Sequence, residues 1–269
     1  MSESKQRWRI VFARDDDARF LSHLDAVHLW ERAFRRGEIP VATSGGFSPR
    51  PRLVFAAPLP LGMLAEHELA DLFLAERLTR LDLRVRLAEG MPRGYRLIDL
   101  RDEWIGGPAV ATQLVAADYR MTLLGVSGDR LEGAARTLLA ATELRREKRR
   151  EKKVTAYDLR PLLIDLQARP PDAVAGATDS TGSPDLAAAG LWMRLRNSQD
   201  LGSGRADEVV EAIAAELGLT SASPPSSGEA EAEDAVEPGP PVEPSSVQPG
   251  LEIVRPIRER LWLSDELPL

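Results

Sequence analysis

The sequence predicts an α+β fold built as two tandem ferredoxin-like sandwiches, each an antiparallel four-stranded sheet with helices on one face. A β-α-β-β-α-β series of apolar periodicities runs through residues 1–104 and recurs through residues 118–269, joined by a connector at 105–117. Only the second series is interrupted. Its insertions, 168–187 and 220–250, are rich in Pro, Gly, Ser and Ala and hold too few large apolar residues to offset the entropy of ordering.

The elements follow in order. Arg7–Arg14 alternates Trp8, Ile10 and Phe12 with polar positions, the pattern of a half-buried strand. Ser22–Arg36 repeats at helical spacing, with Val27, Trp30 and Phe34 on one face and Asp25, His28, Arg32 and Arg36 in a column on another. Arg52–Pro58 and His67–Ala75 are predicted strands around the turn PLPLGMLAE, Thr79–Glu89 a second helix and Tyr95–Arg101 a closing strand. The second series predicts strand Asp118–Leu124, helix Asp129–Ala141, strand Tyr157–Gln167, strand Leu191–Asn197, helix Arg205–Leu217 and strand Ile253–Leu263. In each unit the sheet face away from the helices is expected to stay open.

Composition narrows the function classes. With no cysteine, this chain alone builds no disulfide, Fe–S cluster or thiolate zinc site, and its three histidines, His23, His28 and His67, have no metal-ligand spacing. No cofactor and no metal are expected. The start, MSESKQRW, lacks a basic-then-apolar signal and no run of about 18 apolar residues occurs, so a soluble cytoplasmic protein without membrane contact is expected. The net charge of −7 is unevenly spread: Gly228–Pro244 holds six acids (Glu229, Glu231, Glu233, Asp234, Glu237, Glu243) and no base, which leaves −1 for the rest. That remainder is rich in arginine, and nucleic acid is not excluded.

Ser22, His23 and Asp25 look like a catalytic set, but Ser22 and Asp25 have the three-residue spacing of a helix-capping box, and neighbours on one turn point apart. His23 and His28 stay as candidates for a lone acid or base in RNA cleavage. The helix ends in Arg32, Arg35 and Arg36, and the loop TSGGFSPRP adds Arg50 and Arg52. Five arginines are thereby predicted at one corner. Ser44, Gly45, Gly46 and Phe47 lead into the stiff SPRP segment that Ser48 opens; Ser44 to Ser48 either shape a pocket for phosphate and base or turn a rigid corner. The loop is no P-loop, since the Walker lysine is missing.

Two further basic surfaces are predicted. Arg145–Arg160 carries eight cations, among them Arg145, Arg146, Lys148, Lys153 and Arg160, against Glu147, Glu151 and Asp158, in a solvated helix end or hairpin. Strand parity turns Trp192, Arg194 and Arg196, and likewise Arg258, Arg260 and Trp262, away from the helices, with Arg120 on the same face. Such a face suits stacking on single-stranded RNA, or packs against another layer with its arginines paired to carboxylates.

The segments FLSHLD, ERAFRRGEIPVATSGGFSPRPRLVFAAPLPLG and EHE resemble the hallmark segments of the bacterial radical-SAM-linked proteins of uncharacterised function, which occur as free-standing chains or as extensions of a B12-binding-type radical SAM protein. The resemblance is strongest over Phe20–Glu68 and continues weakly through DLRPLL and RADEVVEAI; Gly37 replaces an expected alanine, Ala65 an expected serine, and the acidic insertion is atypical. It implies a radical SAM partner and no particular reaction. A looser likeness, in architecture alone, is to CRISPR repeat-RNA processing endonucleases. The leading expectation is an RNA-binding accessory module that presents tRNA or rRNA to a radical SAM enzyme, without evident DNA specificity and not catalytic by itself. The alternatives are a metal-independent RNA endonuclease and a protein-interaction adaptor.

Overall fold

The computed structural model describes residues 3–45, 49–150, 153–172, 187–198, 202–222 and 250–267. Among them the chain is mixed α+β, with five α-helices and mostly antiparallel strands. It divides into two compact units, Met1–Arg120 with Arg194–Ser203 and Pro256–Leu269, and Met121–Met193 with Gly204–Arg255. No helix among the described residues is long and apolar enough to cross a membrane, which says nothing of spanning by strands.

The first unit opens with β1 (Gln6–Arg14), α1 (His23–Arg36), β2 (Leu53–Phe55), β3 (Leu64–Leu74), α2 (Arg80–Gly90) and β4 (Tyr95–Glu103), the predicted order. β1 lies between β3 and β4, antiparallel to both, and β2 pairs antiparallel with the far end of β3. Trp8, Ile10 and Phe12 take the in-facing phase of β1 and meet Trp30 and Phe34 of α1 and Leu83 and Leu87 of α2. Phe12 and Trp30 meet edge to face at 5.1 Å. Ser22 caps α1: its hydroxyl accepts from Asp25 N at 3.1 Å and donates to the Asp25 carboxylate at 2.7 Å. The buried stripe of α1 is Ala26, Trp30, Ala33 and Phe34, and Val27 sits at its margin.

Two glycines set the helix crossing. A Cβ on Gly37 would lie 2.3 Å from the Arg86 carbonyl oxygen, and one on Gly90 2.3 Å from that of Ala33. The backbones of α1 and α2 therefore touch where any side chain would hold them apart. In this chain glycine at 37 is what the crossing requires.

The second face of this sheet is not open, contrary to the sequence expectation. Every residue of β1 is buried. Arg7 and Arg9 converge on Asp71, which is 0% exposed, at 2.5 and 3.0 Å. Arg7 also donates to the carbonyls of Gly107 and Pro108, and Val110 N donates to Asp71 at 3.0 Å. Residues 104–110, which include the start of the predicted connector 105–117, thus lie over the face, held through the charges that alternation had assigned to solvent. They lead into α3 (Val110–Gln113) and β5 (Leu114–Leu124).

The second unit contains α4 (Gly128–Ala140), the hairpin β6 (Arg145–Arg150) and β7 (Lys153–Asp158), β8 (Leu163–Arg169), α5 (Ala206–Glu216) and β11 (Thr220–Ala222). The predicted single strand Tyr157–Gln167 is broken by a 3-10 turn at Arg160–Leu162. Pro161 has no N–H for a ladder there, and Arg160 donates to the carbonyls of Leu139, Ala141 and Leu163. Three strands, β5, β9 (Ala188–Ser198) and β12 (Gly250–Leu263), contribute residues to both units. In the first unit, Ile257 and Arg258 of β12 pair in parallel with Leu64 and Ala65 of β3; β10 (Gly202–Ser203) pairs with the end of β9. Residues 173–186 and 223–249, the body of both predicted insertions, lie outside the described residues.

Candidate nucleic-acid interface and a separate cleft

The helix-loop corner is assembled by backbone pairing along the end of β3. Ala42 N donates to Phe73 O, Phe73 N to Arg52 O, and Ala75 N to Pro40 O, so the chain leaving α1 returns beside the same strand. Thr43 bridges to Pro51, Ser44 N donates to Arg50 O, and the Ser44 hydroxyl accepts from Arg50 N at 3.1 Å. Gly45 lies at the described edge of this loop; Gly46, Phe47 and Ser48 lie outside the described residues, and with them the predicted stacking role of Phe47.

Arg32, Arg35 and Arg36 stand in the second half of α1 and Arg50 and Arg52 on the segment that returns beside β3, and all five are exposed. Arg35 donates to its own helix at Glu31 O, and Arg52 lies over the Phe73 ring at 4.1 Å and donates to the Ser4 hydroxyl at 2.6 Å. None of the five is in an ion pair with a described carboxylate.

The sheet arginines behave oppositely. Arg258 is 2% exposed: it donates to Glu68 through Nε at 2.7 Å and Nη2 at 2.5 Å, and to the carbonyls of Ala57 and Pro58. Burial opposes its charge, but Glu68 and Tyr119 hold its pKa above the ordinary arginine value. Arg194 pairs with Asp118 at 2.7 Å, Arg120 with Glu66 and Glu259, and Arg260 with Glu266 at 3.7 Å. Trp262 is covered by Arg194 and Arg260, whose guanidinium carbons lie 4.7 and 4.0 Å from its ring; Trp192 is buried under Arg169 at 4.5 Å. Parity placed Trp192 and Arg258 outward, and the structure corrects both. Segment 57–58 lies over Arg258, so strand phase alone does not decide exposure there. Arg196 is exposed.

In the basic hairpin, Arg145 pairs with Glu143 at 2.8 Å and Arg146 with Glu211 at 3.4 Å, and Arg160 is committed to the carbonyls named above. The side chains of Lys148 and Lys153 lie outside the described residues.

A cleft of about 310 Å³, counting its open mouth, is lined by Phe12, Arg14, His23, Ala26, Phe55, Ala57, Leu59, Glu68 and Tyr95. His23, exposed at the start of α1, meets the Phe55 ring edge to face at 5.5 Å. His28 sits elsewhere on α1 and does not line the cleft. Arg14 is 3% exposed and holds the 19–21 and 60–63 turns together by donating to the carbonyls of Arg19, Leu21, Pro60 and Met63. Burial lowers its pKa against the opposing pull of Tyr95 and Glu68, while burial raises that of Tyr95, only partly countered by Arg14.

Sequence reasoning singled out only His23 of this set. A signal was present: Arg14 continues the apolar phase of Trp8, Ile10 and Phe12, and Glu68 that of Ala70, Leu72 and Leu74. Charges on a buried phase require partners or a ligand. Ser22 donates to Asp25 and not to His23, which removes the triad. Among the described residues no group of His, Asp or Glu could hold a metal ion.

The model of a family described as "Uncharacterized protein conserved in bacteria (DUF2344)" matches residues 7–188, and the chain belongs to that family. No curated protein matches. A solved structure described as "Crystal Structure of an Unknown Protein from Galdieria sulphuraria" is 15% identical, covering 79% of this chain and 94% of that one, with a TM-score of 0.24. At that overlap it informs neither fold nor function.

Proposed function

We propose that this member of a bacterial family of uncharacterised proteins is an RNA-binding accessory module that works beside a radical SAM enzyme in tRNA or rRNA modification or processing. The observation that carries the reading is the contrast between arginines: Arg120, Arg194, Arg258 and Arg260 of the sheet are paired with carboxylates, whereas Arg32, Arg35, Arg36, Arg50 and Arg52 have no described carboxylate partner. Cations left unpaired at one corner form a local positive field within an acidic chain, which is what phosphate capture needs. The radical SAM partnership rests on the hallmark segments alone. The strand orders β4-β1-β3-β2 and β12-β5-β9-β8 support the finer reading of two ferredoxin-like units.

The test is salt. Affinity for single-stranded RNA should fall steeply from low to moderate ionic strength, and an Arg50→Ala/Arg52→Ala variant should flatten the log–log slope by about 0.7 for each phosphate it no longer neutralises. Binding indifferent to salt would refute the reading. If a radical SAM partner co-purifies after ribonuclease treatment while no RNA binds, the chain is an adaptor.

A second reading, metal-independent cleavage, draws on His23 standing in the cleft wall with its imidazole exposed. Cleavage of labelled RNA in EDTA that is lost in His23→Ala would favour it; intact RNA would not.

A further inference from the structure

Trp104 is 77% exposed, more than any other large hydrophobic residue among those described. The other four tryptophans are covered: Trp8, Trp30 and Trp192 are buried, and Trp262 lies under two guanidinium groups. An indole left in water forgoes the stabilisation that burial of so large an apolar surface gives. Yet the turn that carries it is fixed. Gly107 N donates to Trp104 O at 2.9 Å, and Arg7 Nη1 reaches the carbonyls of Trp104 at 3.5 Å and Gly107 at 3.0 Å, which ties the turn to the buried Arg7–Asp71 pair. The indole rests on the backbone of that same turn: a Cβ on Gly106 would stand 2.9 Å from its Cζ2, and one on Gly107 3.6 Å from its Cε3. Glycine at both positions gives the ring a seat on the chain and leaves the rest of it in solvent.

Its place on the sheet selects the ligand. Arg52, Phe73, Arg7 and Glu103 stand in one row from the start of β2 across β3 and β1 to the end of β4: Phe73 N donates to Arg52 O, and Arg7 pairs with Phe73 on one side and Glu103 on the other. Phe73 carries the guanidinium carbon of Arg52 at 4.1 Å and that of Arg7 at 5.8 Å. Trp104 follows Glu103 directly, so three strand spacings, about 14 Å, separate its end of the row from Arg52. The charge of Glu103 is offset by Arg9 at 3.4 Å, whereas Arg52 has no described carboxylate partner. The row thus ends in an open π-face on one side and an exposed cation on the other. Those match the two repeating parts of an unpaired nucleic-acid strand, the base and the phosphate. We propose that the Trp104 indole is a stacking platform for one unpaired base of a bound RNA strand whose phosphate meets Arg52. The proposal rests on the RNA-binding reading and adds a base contact to its phosphate contacts.

The test uses the full chain and a fluorescein-labelled 12-nucleotide RNA, single-stranded or annealed to its complement, followed by anisotropy. Trp104→Ala removes the ring and Trp104→Phe keeps a smaller one. Both variants should melt within a few degrees of wild type, because the ring they alter is exposed. Trp104→Ala should bind the single strand about tenfold more weakly with the wild-type salt slope, since a stack and no phosphate contact is lost, and should bind the duplex as wild type does. Trp104→Phe should stay within about threefold of wild type on the single strand. Wild-type affinity for the single strand in Trp104→Ala would overturn the platform while leaving the RNA-binding reading in place. A loss of equal size on single strand and duplex would also overturn it, because paired bases offer no face to the indole. If wild type binds no RNA, both fall; self-association in sedimentation that Trp104→Ala then abolishes would assign the ring to a contact between copies of this chain.

Discussion

Replacing Arg258 with leucine should destabilise the first unit by about 3–5 kcal/mol, the cost of breaking a buried ion pair from one side. Both side chains are 3% exposed and are joined by two hydrogen bonds, so the substitution strands a carboxylate in the interior. It also removes the donors to Ala57 O and Pro58 O, and each orphaned carbonyl adds to the loss. Glu68→Leu should cost a similar amount by stranding the guanidinium. Replacing both should cost far less than the sum, because no buried charge remains, which gives a coupling energy of about 2–4 kcal/mol in a double-mutant cycle. Equilibrium urea unfolding of the whole chain measures it. Trp8 and Trp30 are buried in this unit, so tryptophan fluorescence reports its melting. A single-variant loss below about 1 kcal/mol, or a double variant as unstable as the two singles added, would refute the claim that the pair is coupled and desolvated.

Gly90→Ala should cost at least about 2 kcal/mol, because its Cβ would collide with the Ala33 carbonyl, whereas Gly133→Ala, inside α4 with nothing within 4 Å, should stabilise by about 0.5–1 kcal/mol; thermal melts of the two variants check the contrast. His67 has a lowered pKa, from burial first and Arg260 next. Between that lowered value and the ordinary imidazole value of about 6.5, the unfolded chain binds a proton that the folded chain resists, so stability falls as pH drops through this window. His67→Gln should therefore gain on wild type in melting temperature at pH 5 and not at pH 8. An equal difference at both pH values would show that His67 does not titrate with folding.

Local chemistry is legible in this sequence and long-range pairing is not. Ser22 and Asp25 announce a helix start because capping acts over three residues, and Trp8, Ile10 and Phe12 announce a buried face because strand phase is local. Arg7 and Arg9 read as solvated, since their partner Asp71 stands more than 60 residues away and the carbonyls over Arg7 about 100 away. No short window of sequence contains that constellation. Arg258 is misread for the same reason, whereas the break at Pro161 is legible locally in its missing N–H. Of the candidate site, the exposed arginines are visible as a charge cluster. The cleft is not, because Arg14 and Glu68 acquire meaning only when β1 and β3 pair, with Phe12 opposite Glu68.

The β12–β3 junction has a consequence for biosynthesis. Glu68 leaves the ribosome 190 residues before Arg258, so for most of translation the emerging N-terminal segment holds an acid whose counter-ion has not yet been made. Pairings of such separation close slowly. Until they close, the nascent chain presents one end of β3 without its neighbour, a state that chaperones recognise and that aggregation exploits.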